Sequence, residues 1–255
     1  MENVNFKKII LLSLPMVFAL ALAITLAACM AQANLGLGDS LLGADETTAK
    51  PSQLPDQNTV VSLSQLEFSS NGNGSCSLSG IGSCTESLLK VPEYSPAGDR
   101  VTSVADSAFL GCKTIKEISL PKSVTTIGAY AFYGSGLQSI SISENVSSIG
   151  ECAFSNCESL TSVTVDSDNE KYSSLDGVLF SKDKSELICY PSGKTNSSYT
   201  IRSSVKKIHK MAFYNCSSLK TVNYNGTKAD WAEIEIGPNN DSLNLAEIKF
   251  PSSDK

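Results

Sequence analysis

The sequence predicts a repeat solenoid, mainly β, with a parallel concave sheet. Three observations carry this. Four segments align with one another along most of the chain. Each ends in a short run of alternating apolar residues. Each carries an Ala-Phe pair at the same internal place. Hydrophobic residues make up 41% of the chain, enough for a real core, so global disorder is excluded. Acidic residues outnumber basic ones 26 to 20, which argues against a nucleic-acid partner.

Residues 1–28 read as an export signal and stand outside the fold. Lys7 and Lys8 precede an apolar run from Ile9 to Ala28 that closes in Leu26-Ala27-Ala28-Cys29. That ending resembles a bacterial lipoprotein signal, with Cys29 as the lipid acceptor. Two alternatives stand beside it: cleavage after Ala31-Gln32-Ala33 as an ordinary secreted chain, and an uncleaved membrane span. All three export the rest of the chain. Loss of residues 1–28 would remove Glu2, Lys7 and Lys8 and leave a net charge of −7, so the lipid rather than charge would do the anchoring. Residues 29–60, with Gly36, Gly38, Gly43, Pro51 and Pro55 and no sustained apolar period, read as a flexible tether.

The repeats occupy residues 101–226. VTSVADSAFLGCKTIKEISL starts at Val101, VTTIGAYAFYGSGLQSISI at Val124, VSSIGECAFSNCESLTSVTV at Val146 and VKKIHKMAFYNCSSLKTVNY at Val205. The shared template is V-x-x-[IV]-x-x-x-A-F-x-x-C-x-x-L-x-x-[IV]-x-[LV]. Successive starts are 23, 22 and 59 residues apart, so the last interval holds one normal unit and one enlarged unit. The second copy has Ser135 in the cysteine place and lacks one residue before Leu137. The alternating end is a strand with one buried face. A single coil cannot bury its Val, Ile, Ala-Phe and Leu positions alone; stacked coils share a core and pair their strands in parallel. A period near 23 with L-x-x-[IV]-x-[LV] places the array in the leucine-rich-repeat class, with short helical turns between its strands.

The enlarged unit carries a β-hairpin insertion, residues 170–198. DGVLF (176–180) and ELICYP (186–191) read as two strands joined by the polar turn Ser181–Ser185. Tyr199-Thr200-Ile201 then returns to the strand place, so the array continues. Residues 227–250 read as a C-terminal cap. Thr227 with Lys228-Ala229-Asp230 is a helix-start signal, Trp231 and Ile234 share a face, Asp241 caps a second short helix, and Glu247–Phe250 supplies a last strand.

The pattern V-T-S-I-x-x-x-A-F-x-x-C-x-x-L-x-x-I-x-[LI]-P resembles the BspA-type leucine-rich-repeat family of bacterial surface proteins. NEKYSSLDGVLFSKDKSELICYP resembles the family's hairpin insertion, SCSLSGIGSCTESLLKVPEY its N-terminal cap (residues 61–100), and YNGTKADWAEIEIGPNNDSLNLAEIKF its closing segment. The departures are Ser135, the deletion beside it, and Lys122 and Arg202. The resemblance implies an exported protein, lipid-anchored at the bacterial cell envelope or surface, that binds host matrix proteins, host cells or other bacteria.

Catalytic and metal chemistry find little support. Cys112, Cys157 and Cys216 share one repeat place, two coils apart, about 10 Å, which exceeds the reach of a disulfide; they are expected as buried, reduced thiols. Cys76 and Cys84 are the candidate pair for a bridge across SLSGIGS in the cap; Cys152 and Cys189 have no assigned role. His209 is the only histidine and stands among Lys206, Lys207 and Lys210, as a solvated surface residue would. Asp166-Ser167-Asp168-Asn169-Glu170 lacks the glycine and distant glutamate of a calcium loop. Asn145, Asn196, Asn215 and Asn225 lie in N-x-[ST] sites, which matter only in a glycosylating host. No cofactor, metal or catalytic site is expected.

The candidate binding surface is the concave sheet. Alternation turns Lys90, Ser119, Ser141, Thr164, Thr200 and Asn223 outward, with Glu117, Ser139, Ser162 and Thr221 as second-row neighbours. Short hydroxyls and amides there suit solvated strands, and they equally suit a flat polar docking face for an extracellular protein or glycan. The expectation is a monomeric, non-catalytic adhesion scaffold. The alternative is an envelope scaffold without an external ligand.

Overall fold

The computed structural model describes residues 65–251, all within one compact unit, Asn58–Lys255. Cys29 and the tether lie outside the described residues. At the N-terminal end, β1 (Glu67–Ser70) and β2 (Ser75–Gly80) pair antiparallel through the turn at residues 71–74, and β3 (Leu88–Lys90) follows. The coils then contribute β4 (Arg100–Val104), β5 (Glu117–Ser119), β6 (Thr126–Ile127), β7 (Ser139–Ile142), β8 (Ser148–Ile149) and β9 (Ser162–Val165). Two sheets result: β1-β2-β4-β6-β8 on one side and the all-parallel β3-β5-β7-β9 on the concave side. In β7 the exposed Ser139 and Ser141 alternate with buried Ile140 and Ile142, the period-two pattern read from the sequence.

The enlarged coil holds β10 (Tyr172–Leu175), β11 (Val178–Ser181) and β12 (Glu186–Cys189), followed by β13 (Ser198–Ile201), β14 (Lys207–Ile208) and β15 (Thr221–Tyr224). The sequence reading found β11 and β12 but not β10, which makes the hairpin a three-stranded antiparallel meander. The C-terminal cap is α1 (Lys228–Ala232), β16 (Glu235–Ile236), α2 (Asp241–Asn244) and β17 (Glu247–Lys249). The meander joins β14 and β16 in one sheet, and β13-β15-β17 forms another. The concave strip is therefore two sheets, not one. It breaks because the β10–β11 turn lies against β9: the Val163 N–H donates to the Gly177 carbonyl at 2.9 Å where the next parallel strand would pair. β11 acts as a septum, with Leu179 in the core of the first half and Val178 and Phe180 in that of the second.

Inside each coil, the Ala-Phe segment crosses the core as a pair of tight turns. The phenylalanines form a ladder, Phe109 on Phe132 at 5.1 Å and Phe132 on Phe154 at 5.7 Å between ring centroids. The residue before each alanine is left-handed: Ser107, Tyr130, Cys152 and Met211 have φ between 55° and 57°. A second left-handed residue precedes each cysteine place, and there the sequence supplies residues that tolerate it: Gly111, Gly134, Asn156 and Asn215.

Local chemistry also corrects the cap readings. Cys76 and Cys84 are free thiols. The hairpin of the cap lies before Cys76, not after it; β2 then runs extended from Ser75 to Gly80, and Cys84 follows beyond a turn in which its N–H donates to the Ile81 carbonyl. The Thr227 capping box forms as expected, with the Thr227 N–H and hydroxyl on Asp230 Oδ2 at 2.9 and 2.7 Å. The second helix is preceded by Asn240, and Asp241 is its first residue rather than its cap. Asn240 is fully buried: its amide donates to the His209 and Gly237 carbonyls at 2.9 and 2.8 Å and its Oδ1 accepts from the Phe213 N–H. Asn169, inside the acidic run, does the same for the carbonyls of Ser143 and Val146, both at 2.8 Å. That segment is a strand-to-hairpin connection tied down by an asparagine.

Candidate binding face

The four-stranded concave sheet brings together Lys90, Glu117, Ser119, Ser139, Ser141 and Thr164 along one open trough of about 670 Å³. Parallel register does this: Glu117 lies beside Ser139, Ser139 beside Ser162, and Ser141 beside Thr164. Equivalent side chains thus stack coil upon coil, and the Ser141 and Thr164 hydroxyls meet at 2.9 Å. Thr164 Oγ1 also donates to the Ile140 carbonyl at 3.3 Å. Ser162 belongs to the same sheet but lies under the hairpin turn, where a side chain on Gly177 would crowd its hydroxyl. Thr200, Thr221 and Asn223 fall in the other sheet, where Thr200 stands beside Asn223 and Thr221 beside Glu247.

The sequence reading missed the charged rim of the trough. Lys122, Glu144 and Asp166 follow β5, β7 and β9 and line it. Lys122 Nζ reaches Glu144 Oε1 at 2.8 Å, and this ammonium holds the Glu144 carboxyl below the usual carboxylate range. The signal was available: each residue lies one to three places beyond the strand in its copy. Leu88, at the outer edge of β3 and 63% exposed, adds an apolar corner. The trough presents hydroxyls and charges of both signs, with no aromatic side chain among its lining.

The other chemistry-bearing residues are accounted for elsewhere. His209 is half-buried rather than solvated, and its Nε2 lies 2.6 Å from Glu186 Oε2, because the pairing of β12 with β14 aligns the two residues' neighbours. All seven described cysteines are free. Cys189 lies in the core where its thiol faces the Phe154 carbonyl, and Cys152 is half-buried on the flank beside the Lys210 carbonyl. Burial pushes the Cys189 thiol well up and the Cys216 thiol up to about 12. Among the described residues, no group of three His, Cys, Asp or Glu side chains is placed to hold a metal ion, and no helix is long and apolar enough to cross a membrane.

A stack of coils of 22 or 23 residues, each giving one strand to a concave parallel sheet, defines a leucine-rich-repeat scaffold. The family model for the BspA type leucine rich repeat region matches residues 93–196 and 189–255 in six copies, and the chain belongs to that family. Among solved structures, a leucine rich cell surface protein from Faecalibacterium prausnitzii A2-165 is 34% identical, with a TM-score of 0.54 over 66% of this chain and 42% of that one. The chain thus spans less than half of that relative. A leucine-rich repeat protein from Eubacterium ventriosum is 18% identical, TM-score 0.40, over 74% of this chain and 71% of that one. One from T. pallidum is 20% identical, TM-score 0.38, over 73% and 83%. Comparison with curated proteins gives no match.

Proposed function

We propose that the protein is a non-catalytic binding scaffold, exported and held at the bacterial surface through lipid on Cys29, whose four-stranded concave face docks an extracellular protein or glycan. The observation that carries this reading is the trough: six residues singled out by alternation line one open depression. The 34% identical relative is described as a cell surface protein, which supports the location. Without aromatic anchors each contact is weak, and many copies on one surface supply the avidity.

A pull-down of extracellular proteins and glycans with the full chain tests this. The Ser141→Arg/Thr164→Arg double variant should lose the captured partner, and equal capture would remove the concave face from consideration. A Cys29→Ala chain should move from the membrane to the soluble fraction. The internal pairs Ser141–Thr164 and Lys122–Glu144 favour a second reading, an envelope scaffold whose face satisfies itself. Resistance to protease on intact cells would select it.

A further inference from the structure

The sheet β13-β15-β17 ends at β17, and among the described residues no strand pairs with its outer edge. Register fixes the bonding groups of that edge. The Glu247 N–H donates to the Lys220 carbonyl at 2.8 Å, and Ile248 stands beside Val222. Successive residues of a strand point their N–H and C=O groups to alternate edges. Glu247 and Lys249 therefore face β15, and Ile248 presents both of its groups outward. The side chains of Glu247 and Lys249 are exposed, while Ile248 packs against the core of the second half. The same end of the molecule carries two exposed apolar side chains, Ile236 on the last strand of its own sheet and Leu245, which is 87% exposed.

An open edge invites pairing, and proteins commonly blunt it with a lysine. Here a glutamate stands two places before the lysine, and that order specifies one partner. In an antiparallel pair centred on Ile248, Glu247 falls opposite Lys249 of the second copy, and Lys249 opposite its Glu247, on one face of the sheet. Ile248 falls opposite itself, at the position where two residues exchange both hydrogen bonds, and it is the residue with both groups turned outward. The same dyad carries Leu245 toward the exposed Pro251 of the second copy. Within one copy Lys249 Nζ lies 3.2 Å from Glu247 Oε2, an exposed pair that costs little to exchange.

The other open end does not match. β3 is the outer strand of its sheet, with Leu88, Leu89 and Lys90 in the places of Glu247, Ile248 and Lys249. Head-to-tail stacking in the repeat register would set Lys90 beside Lys249, and like charges directly opposite repel. The N-terminal end also carries β1 outside β2 with no counterpart outside β3, so both sheets could not continue at one coil spacing. A closed pair is favoured over a filament.

The geometry points to a two-fold, tail-to-tail dimer in which β17 pairs antiparallel with β17 of a second copy, with Glu247–Lys249 ion pairs on either side of Ile248. The partner that fits this edge is another copy of the chain, and two three-stranded sheets become one of six strands. The sequence reading expected a monomer; the order of charges on β17 is what that reading left out. The dimer goes beyond docking on the trough and does not depend on it, since the trough belongs to β3-β5-β7-β9.

The test is sedimentation of the full chain in density-matched neutral detergent over a dilution series, for wild type, Glu247→Lys, Lys249→Glu and the double exchange Glu247→Lys/Lys249→Glu. Wild type should pass from monomer to dimer with a dissociation constant on the order of 100 µM, as suits a contact at or below roughly 1,200 Å². Each single variant sets like charges opposite one another across the dyad and should weaken association ten-fold or more. An equimolar mixture of the two single variants should recover a heterodimer, and the double exchange should dimerise as wild type does. Equal melting temperatures across the set separate a lost contact from a folding defect. The proposal is overturned if wild type stays monomeric at about 1 mM, or if it grows into longer chains with concentration. It is equally overturned if either single variant dimerises as wild type, or if the mixture stays monomeric.

Discussion

The Cys157 thiol lies 3.4 Å from the Ser135 hydroxyl of the preceding coil and donates to the Phe132 carbonyl at 2.9 Å. Serine therefore stands in the column between Cys112 and Cys157. Adjacent coils lie about 4.8 Å apart, inside the Cα range of a disulfide, whereas Cys112 and Cys157 are two coils apart and outside it. A Ser135→Cys chain should accordingly lose two titratable thiols on mild oxidation. Wild type should yield all seven described cysteines when denatured without reductant. Before denaturation, half-buried Cys152 should label first, since the other six described cysteines are buried away from reagent. Protection of any described wild-type cysteine from labelling after denaturation would contradict this.

Phe132 is stacked on both sides, by Phe109 and Phe154, and is fully buried. Phe132→Ala removes the middle of the ladder and leaves a cavity that neither neighbour can fill without unstacking from its own coil. The expected loss is about 3–5 kcal/mol, read as a fall in the urea midpoint. A loss below about 1 kcal/mol would mean that the coils repack and that the ladder is not what joins them.

What the sequence revealed, and what it hid, follows from which features recur. Strand positions, the Ala-Phe places and the Thr227 capping box were legible because each is a repeated or local chemical rule. Tyr190 was hidden because the enlarged coil spells its Ala-Phe as Cys189-Tyr190 and places Cys189 two residues after Leu187, where the next coil places Ala212 four residues after Ile208. The break in the concave strip was hidden for the same reason: it depends on where the Gly177 turn lands against β9, a tertiary contact without a residue signature. The left-handed place before each alanine carries Ser107, Tyr130, Cys152 and Met211, four residue types with no shared conformational preference.

The one-residue deletion in the second repeat has a cost at Gly136. Its N–H donates to the Cys112 carbonyl at 2.8 Å, and a Cβ there would collide with the Lys113 carbonyl. The shortened coil closes only because nothing projects at this position. Gly136→Ala should destabilise the protein by about 1–3 kcal/mol through backbone displacement. Ser107→Gly, which relieves a left-handed φ of 57° at an exposed site, should instead stabilise it by up to about 1 kcal/mol. Thermal melts of the two variants should therefore move in opposite directions; a shift of the same sign in both would refute the assignment.

The hairpin turn is organised by one carboxylate. Asp183 Oδ1 accepts the Ser181 hydroxyl at 2.6 Å and the Ser185 N–H at 3.0 Å, and Ser185 Oγ adds bonds of 2.8 and 2.9 Å to its two oxygens. These donors favour the charged form and lower its pKa to about 2. A carboxyl whose pKa is lower when folded than when unfolded stabilises the fold fully above its unfolded value, near 3.9. That contribution fades as pH falls through about 2. Asp183→Asn keeps the shape but not the charge. Its urea midpoint should fall below that of wild type at about pH 6, and the gap should close as pH approaches about 2. A gap that stays constant from neutral to acid would show that the carboxylate's charge contributes nothing and that only the shape of the turn matters.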